Sequence, residues 1–481
     1  MSAGDHLMTV HLVSMGCARN DVDSEELAAR MEAGGFRLVD DPSEAETVVV
    51  NTCGFIEQAK KDSVDTLLAA ADLKGHGPTQ SVIAVGCMAE RYGRELAESL
   101  PEADAVLGFD DYDDIADRLR TILDGGSIEA HVPHDRRTLL PISPVDRRPA
   151  SSGVSIPGHG TAPDLSATMA PASGPRATRR RLGSGPSTAL KMASGCDRRC
   201  AFCAIPRFRG SYLSRPAAEI VEEARWLVDH GVKEVFLVSE NSSSYGKDLG
   251  DLRALEKLLT GLDNVDGLEW IRVSYLQPAE LRPGLVDTML ATAKVVPYFD
   301  LSFQHASGPL LRRMRRFGDA ESFIDIIESI RSRCPEAGFR SNFITGFPGE
   351  TEADVEILAD FLQRARLDVA GIFAYSDEEG TEGATLDGHV DEDVIAARRE
   401  DLADLIDELV SQRAEDRVGT RSRVMIEETG EAIVGRAEHQ GPEVDGVVTL
   451  VDSAEVSVGD IVDVDFVGSD GVDLVARPVL T

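Results

Sequence analysis

Long apolar runs are absent from this chain. No stretch reaches the roughly 18 residues that a bilayer-spanning helix needs, so no transmembrane span and no membrane partner is expected. A leader is not expected either, because the N-terminus, MSAGDHLMTVHLVSMGC, has no basic region ahead of its apolar stretch and runs straight into a strand-like pattern. A cytoplasmic location is the resulting expectation. Positive charge is also scarce: Lys plus Arg number 49 against 84 Asp plus Glu, a formal charge of −35. Such a surface repels nucleic-acid phosphates unless its few cations are concentrated in one place, and its natural macromolecular partner is basic. Aromatic residues make up only 5%, while 42% hydrophobic residues suffice for ordinary cores. The seven cysteines (17, 53, 87, 196, 200, 203 and 334) are few and odd in number. In a long cytosolic chain that argues for metal-bound or catalytic thiolates over disulfides.

The 481 residues present exceed what one core organises and suggest about three domains. From 1 to 132, short apolar runs (Met8–Met15, Thr47–Asn51, Ser81–Val85) alternate with helical periodicity (Asp21–Ala33, Ile56–Ala71, Tyr112–Leu123), which predicts an α/β domain with a parallel sheet. Each predicted strand runs directly into a cysteine: Cys17, Cys53 and Cys87. In such sheets the carboxyl ends of neighbouring strands share one rim, so three thiols separated by one strand–helix unit each can converge there. Residues 133–188 differ in composition. Eight of the 22 prolines fall within 141–188, and 133–188 carries a net +5 with the triplet Arg179-Arg180-Arg181. This reads as a disordered Pro/Ser/Gly-rich linker. From 189 to 418, six predicted strands (Ala189–Ala193, Glu234–Val238, Trp270–Tyr275, Tyr298–Phe303, Arg340–Ile344, Val369–Phe373) alternate with helices, suggesting a partial or complete parallel barrel with its chemistry at the strand carboxyl ends. The last part, 419–481, reads as a small all-β barrel with strands at Arg423–Glu427, Ala432–Gly435, Val444–Leu450 and Ile461–Val467.

The densest chemistry is Cys196-Asp-Arg-Arg-Cys200-Ala-Phe-Cys203, immediately after the first strand of the second domain. Three thiolates in one loop can bind three irons of a four-iron cluster and leave the fourth open. Zinc is the competing reading, but a structural zinc site wants a fourth ligand, and no further Cys and no His lies nearby. A redox disulfide between Cys200 and Cys203 would leave Cys196 unexplained.

This motif, with Phe202 before its last cysteine, resembles the radical S-adenosylmethionine (SAM) superfamily, in which the open iron chelates SAM and electron transfer cleaves it to a 5′-deoxyadenosyl radical. Ser14-Met-Gly-Cys17-Ala-Arg-Asn20, Asn51-Thr-Cys53-Gly-Phe and Gly86-Cys87 narrow the resemblance to the methylthiotransferases, and the closing β domain resembles a TRAM domain. The resemblance implies two 4Fe-4S clusters, one on Cys17, Cys53 and Cys87 and one on Cys196, Cys200 and Cys203, with SAM as cofactor and with a sulfur donor and a reducing electron donor as partners. Phe202, Gln304, Gly346 and Glu350 are the candidate SAM contacts; the competing reading of Gly346–Glu350 is a tight turn before a helix. Cys334 fits neither group.

Two subfamilies compete. One methylthiolates the β-carbon of an aspartate in the twelfth small-subunit ribosomal protein, free or in the 30S subunit; the other modifies an adenosine beside the tRNA anticodon. Asn51–Ile56, Ser244–Leu249, Phe303–Gly308, Ser341–Glu350 and Ala374–Thr381 resemble the first, while Ser239-Glu240-Asn241 and Ser302 depart from the family pattern. Charge points the same way: 420–481 holds four arginines, no lysine and 13 acidic residues, so RNA binding by the C-terminal domain is not expected. A basic ribosomal protein would be attracted. Arg312-Arg313-Met-Arg315-Arg316, with Arg312 and Arg316 expected on one helix face, is the best local feature for RNA; a solvated face and a contact to an acidic target side chain are the alternatives.

Overall fold

The computed structural model describes residues 7–138, 179–442, 444–451 and 455–479, which divide into two compact units. In the first, a five-stranded parallel sheet has the order β2-β1-β3-β4-β5, with β1 at Thr9–Ser14, β2 at Arg37–Leu38, β3 at Thr47–Thr52, β4 at Ser81–Val85 and β5 at Ala105–Val106. The helices α1 (Ala18–Ala33), α2 (Glu57–Ala71), α3 (Gly86–Ser99) and α4 (Ile115–Leu123) complete it. β3 and β4 are buried along their whole length, as the runs Val48-Val49-Val50 and Val82-Ile83-Ala84-Val85 demand of strands covered on both faces. Their register decides the site: Ser14 pairs with Asn51 and Asn51 with Val85, so the three strands end level.

The second unit carries two three-stranded parallel sheets. One joins Ser187–Lys191, Glu234–Val238 and Trp270–Val273, the other Tyr298–Asp300, Gly338–Thr345 and Val369–Ala374. Single bridges at Ile271–Val295 and Leu276–Leu301 connect them. Six strands with helices between them make the barrel partial. Its core includes Phe303, Phe343 and Phe361, each essentially inaccessible, and each such side chain contributes about 1.5–3 kcal/mol by burial. The helix Glu392–Glu415 follows and buries Ile395, Leu402, Ile406 and Ala414.

A closed five-stranded barrel ends the second unit, in the order Arg421–Glu428, Ile433–Ala437, Val448–Leu450, Asp473–Pro478, Ile461–Asp470. The sequence pattern predicts four of these strands; Asp473–Pro478 is the addition, and it closes the barrel by pairing with Val448–Leu450 on one side and Ile461–Asp470 on the other. It is short and ends in proline, so its alternation is hard to read locally. Buried ion pairs tie the second unit together, and one of them, Glu234 with Arg436, joins the barrel to the rest. Glu234, at the start of its strand, meets both Arg272 (2.8 Å) and Arg436, and Asp368 meets Arg413 (3.1 Å) and Arg417 (2.8 Å). Burial alone would raise both acids; Arg436 and Arg272 bring Glu234 down to about 2, and Arg417 and Arg413 bring Asp368 down to about 2.

Three expectations need correction or delimitation. Residues 139–178 of the expected 133–188 linker lie outside the described residues, but the ends of that segment are structured. Arg136 is 3% exposed and pairs with buried Glu90 (2.5 Å), Arg179 is 4% exposed and pairs with Glu25 (2.8 Å), and the strand Ser187–Lys191 begins before 189. Composition suggested solvation, yet cations that meet buried carboxylates fold with the acidic body. The strand expected at Ala189–Ala193 stops at Lys191, and Ala193–Ser194 pairs instead with Leu213–Ser214. Finally, Arg312 and Arg316 do not share a helix face: the helix Gly308–Arg313 ends first, and Arg315 takes a left-handed turn at φ +59°. Among the described residues no helix is long and apolar enough to cross a membrane.

Candidate iron–sulfur sites

Because β1, β3 and β4 end level, the segments that leave them bring Cys17, Cys53 and Cys87 to one rim. The thiols are close enough to interact electrostatically, Cys53 with Cys17 and Cys87 with both. Glycines make the approach feasible. A Cβ on Gly16 (φ +94°) would lie 2.7 Å from Cys53 Cβ, and one on Gly86 (φ +91°) would lie 2.2 Å from Asn51 Oδ1. Two asparagines lock the loops. Asn51 Nδ2 donates to Asn20 O (2.9 Å) and Ser24 Oγ (2.8 Å), while Asn20 Nδ2 donates to Met15 O (2.9 Å) and Thr52 O (3.1 Å). The Cys53 N–H donates to Ser63 Oγ (2.9 Å).

Cys17 caps α1, and Cys87 is the second residue of α3, where the helix end favours its thiolate. Against this, burial pushes the free Cys87 thiol up to about 12 and also raises Cys53. Two guanidiniums oppose that cost, Arg209 with Nη2 3.0 Å from Cys87 Sγ and Arg19 with Nη2 3.7 Å from Cys17 Sγ. Among the described residues no group of three His, Cys, Asp or Glu side chains is drawn in around a single metal ion. Three thiols gathered at one rim are a donor set that a four-iron cluster takes.

The second triad lies in one loop. In the first unit, the Cys196 N–H donates to Gly210 O (3.0 Å) and the Tyr212 N–H to Asp197 Oδ1 (3.0 Å). In the second, the Cys203 N–H closes a turn on Cys200 O (3.2 Å), the Ala201 N–H donates to Met314 O (3.0 Å), and the Gly383 N–H donates to Ala201 O (2.7 Å). Arg316, 7% exposed, places Nη1 3.7 Å from Cys200 Sγ and also bonds Ser302 O. Arg198 pairs with Glu280, whose other contacts are Asn241 Nδ2 (3.1 Å), Ser244 Oγ (2.9 Å) and Lys247 (2.8 Å).

Three family models match the chain: the uncharacterized protein family UPF0004 over residues 9–108, the radical SAM superfamily over 190–362 and the TRAM domain over 418–479. The chain is 88% identical over 478 residues to the ribosomal protein uS12 methylthiotransferase RimO of Cutibacterium acnes, covering 99% of each. The chain belongs to the RimO family. RimO of Streptomyces coelicolor is 62% identical, with 98% of this chain and 97% of that one covered. The radical SAM methyltransferase TsrM of Kitasatospora setae, solved with cobalamin and a 4Fe-4S cluster, superposes with a TM-score of 0.52 at 17% identity, covering 76% of this chain and 75% of that one, a likeness of fold alone.

The candidate SAM contacts in this RimO-family chain differ in availability. Phe202 is half-buried against the core of the second unit. Gln304 makes a single bridge to Phe343 beyond the strand Tyr298–Asp300 and has φ +72°, an unusual backbone for a non-glycine residue and a frequent mark of functional positions. Glu350 is otherwise engaged: its Oε2 accepts from the Gly346 N–H (2.8 Å), Thr345 Oγ1 (3.1 Å) and Arg398 Nη1 (2.9 Å), and its Oε1 stands 3.4 Å from His305 Nε2. Glu350 therefore holds the Gly346 turn. Cys334 stands apart, half-buried, with its thiol donating weakly to Glu336 (3.8 Å). Sequence reading did not single out Arg19, Arg209, Arg316 or Glu280 for these sites. Arg19 and Arg316 stood inside quoted motifs, whereas Arg209 and Glu280 carry no local signal.

Proposed function

We propose that this chain methylthiolates ribosomal protein uS12, at the β-carbon of an aspartate, with Cys17, Cys53 and Cys87 holding one 4Fe-4S cluster and Cys196, Cys200 and Cys203 holding a second that binds SAM. The observation that carries this reading is the pair of cysteine triads in a chain 88% identical to a uS12 methylthiotransferase. When bound, the clusters and SAM supply the radical chemistry and the sulfur that an unactivated C–H bond requires, because such a bond offers no acid–base route.

The protein's own groups do the rest. Arg19 and Arg209 place positive charge beside Cys17 and Cys87, and Arg316 does so beside Cys200. Glu280 anchors Arg198 of the second cysteine loop, and Glu350 fixes the turn at Gly346. Gln304 and Phe202 are the candidate contacts to SAM, and a sulfur donor and a reducing electron donor complete the reaction. The protein acts in the cytoplasm, where its substrate is made.

The C-terminal barrel supports a protein substrate over RNA. Of its four arginines, Arg421 pairs with Asp465 (3.0 Å), Arg423 with Glu438 (2.6 Å) and Arg436 with Glu427 (2.9 Å), which leaves little cation for phosphate. Both RimO relatives named above are uS12 enzymes, so the tRNA alternative is not favoured. The test offers anaerobically reconstituted enzyme, SAM and sulfide two substrates in parallel, uS12 (or 30S subunits) and anticodon-loop RNA. A methylthio mass increment on uS12 is expected; an increment on RNA alone would overturn the assignment.

A further inference from the structure

Arg209 ends the short helix Ile205–Arg209 and is 2% exposed. Its Nη2 reaches Cys87 Sγ (3.0 Å), Asn20 Oδ1 (3.0 Å) and Asp23 Oδ2 (3.1 Å), and its guanidinium carbon stands 5.2 Å from the Phe109 ring centre. Asp23 is only 1% exposed, so the ion pair is dry. Pairing with Asp23 explains how a buried cation is tolerated. It does not explain why the cation meets a sulfur. As a neutral thiol, Cys87 already donates to Asn20 Oδ1 (3.5 Å) and has no need of a guanidinium. Once the sulfur is bound as thiolate that donor proton is gone, and Arg209 is the group placed to donate to it.

We propose that Arg209 is a positioning residue that sets the reduction potential of the cluster on Cys17, Cys53 and Cys87, through a charge-assisted hydrogen bond to the Cys87 thiolate; this rests on the reading that those cysteines hold a cluster. One-electron reduction adds negative charge, and a cationic donor on a ligating sulfur stabilises the reduced form, so Arg209 holds the potential up. Asp23 and Asn20 aim the guanidinium.

The experiment uses full-length chain with Cys196, Cys200 and Cys203 all replaced by Ala, so that only this cluster forms on anaerobic reconstitution. Failure of that parent to take up about four irons would overturn the cluster reading itself, separately from the role of Arg209. In the parent, Arg209→Gln is expected to keep the iron and move the midpoint, followed by EPR during a redox titration, to a more negative value with an altered EPR signal; Arg209→Lys is expected to restore part of the shift. Should Arg209→Gln fail to fold because Asp23 is left unpaired, the double variant Arg209→Gln/Asp23→Asn removes both charges and carries the same expectation. An unchanged midpoint and signal, or loss of the cluster in the Gln and Lys variants alike, would overturn the proposal, since shape and not the cationic donor would then be what matters.

Discussion

The two cysteine triads are assembled by opposite routes. Cys196, Cys200 and Cys203 are neighbours in sequence, and a few backbone hydrogen bonds shape their loop. Cys17, Cys53 and Cys87 are separated by whole strand–helix units, and the register of β1, β3 and β4 brings them together. A local motif survives as long as its loop does, whereas a long-range triad depends on every residue that keeps three strand ends level. Left-handed glycines precede cysteines of both triads, Gly16 and Gly86 in the first and Gly195 in the second, but the double asparagine lock belongs to the long-range triad.

The largest effect that separates the triads is chemical. Cys200→Ala should abolish formation of 5′-deoxyadenosine from SAM while leaving the other cluster in place, and Cys87→Ala should abolish methylthio transfer while SAM cleavage continues. Product analysis of the two variants side by side checks this, and undiminished deoxyadenosine from Cys200→Ala would contradict it.

Acid should next distinguish the two units. Glu234 and Asp368, both in the second unit, are held at about 2 in the fold, below the ordinary carboxylate values near 4. Their stabilisation is therefore full above about pH 5 and is lost as pH falls toward 2, with about 2–3 kcal/mol at stake for each. Partly or fully buried acids of the first unit, Asp21, Glu25 and Asp111, are instead raised by burial, so protonation there relieves a cost, although Glu90 in that unit is lowered, His131 and Arg136 outweighing its burial. Both tryptophans, Trp226 and Trp270, lie in the second unit and report its unfolding. Their fluorescence midpoint in urea should drop steeply between pH 5 and 3; a flat profile would contradict the buried-ion-pair account.

Gly16→Ala should cost about 1–3 kcal/mol through its positive φ, and it should lower iron at the first triad only, as read by thermal unfolding and iron analysis. The smallest effect expected is that of Arg316→Gln, which should slow SAM cleavage about tenfold without loss of iron, as for other groups that support a metal ligand.

How far the sequence revealed these features follows from the same contrast. The loop of Cys196–Cys203 could be read in eight letters, and strands such as Glu234–Val238 and Ser81–Val85 appear where their apolar runs predict. The meeting of Cys17, Cys53 and Cys87 could be inferred because parallel sheets share a rim. Arg209 and Glu280 could not, since which side chain faces a sulfur or gathers a loop is set by tertiary packing. The strand Asp473–Pro478 escaped notice because pairing on both sides, not its own short alternation, makes it a strand. Arg136 and Arg179 were hidden by composition: in a Pro- and Ser-rich neighbourhood an arginine looks solvated until its buried carboxylate is seen.

Iron content in three proteins tests the two-triad account most directly: the full chain, the chain with Cys17, Cys53 and Cys87 replaced by Ala, and the chain with Cys196, Cys200 and Cys203 replaced by Ala. After anaerobic reconstitution the account predicts about eight, four and four irons per chain. About four irons in the full chain, with none left after one of the two replacements, would show a single cluster and contradict it.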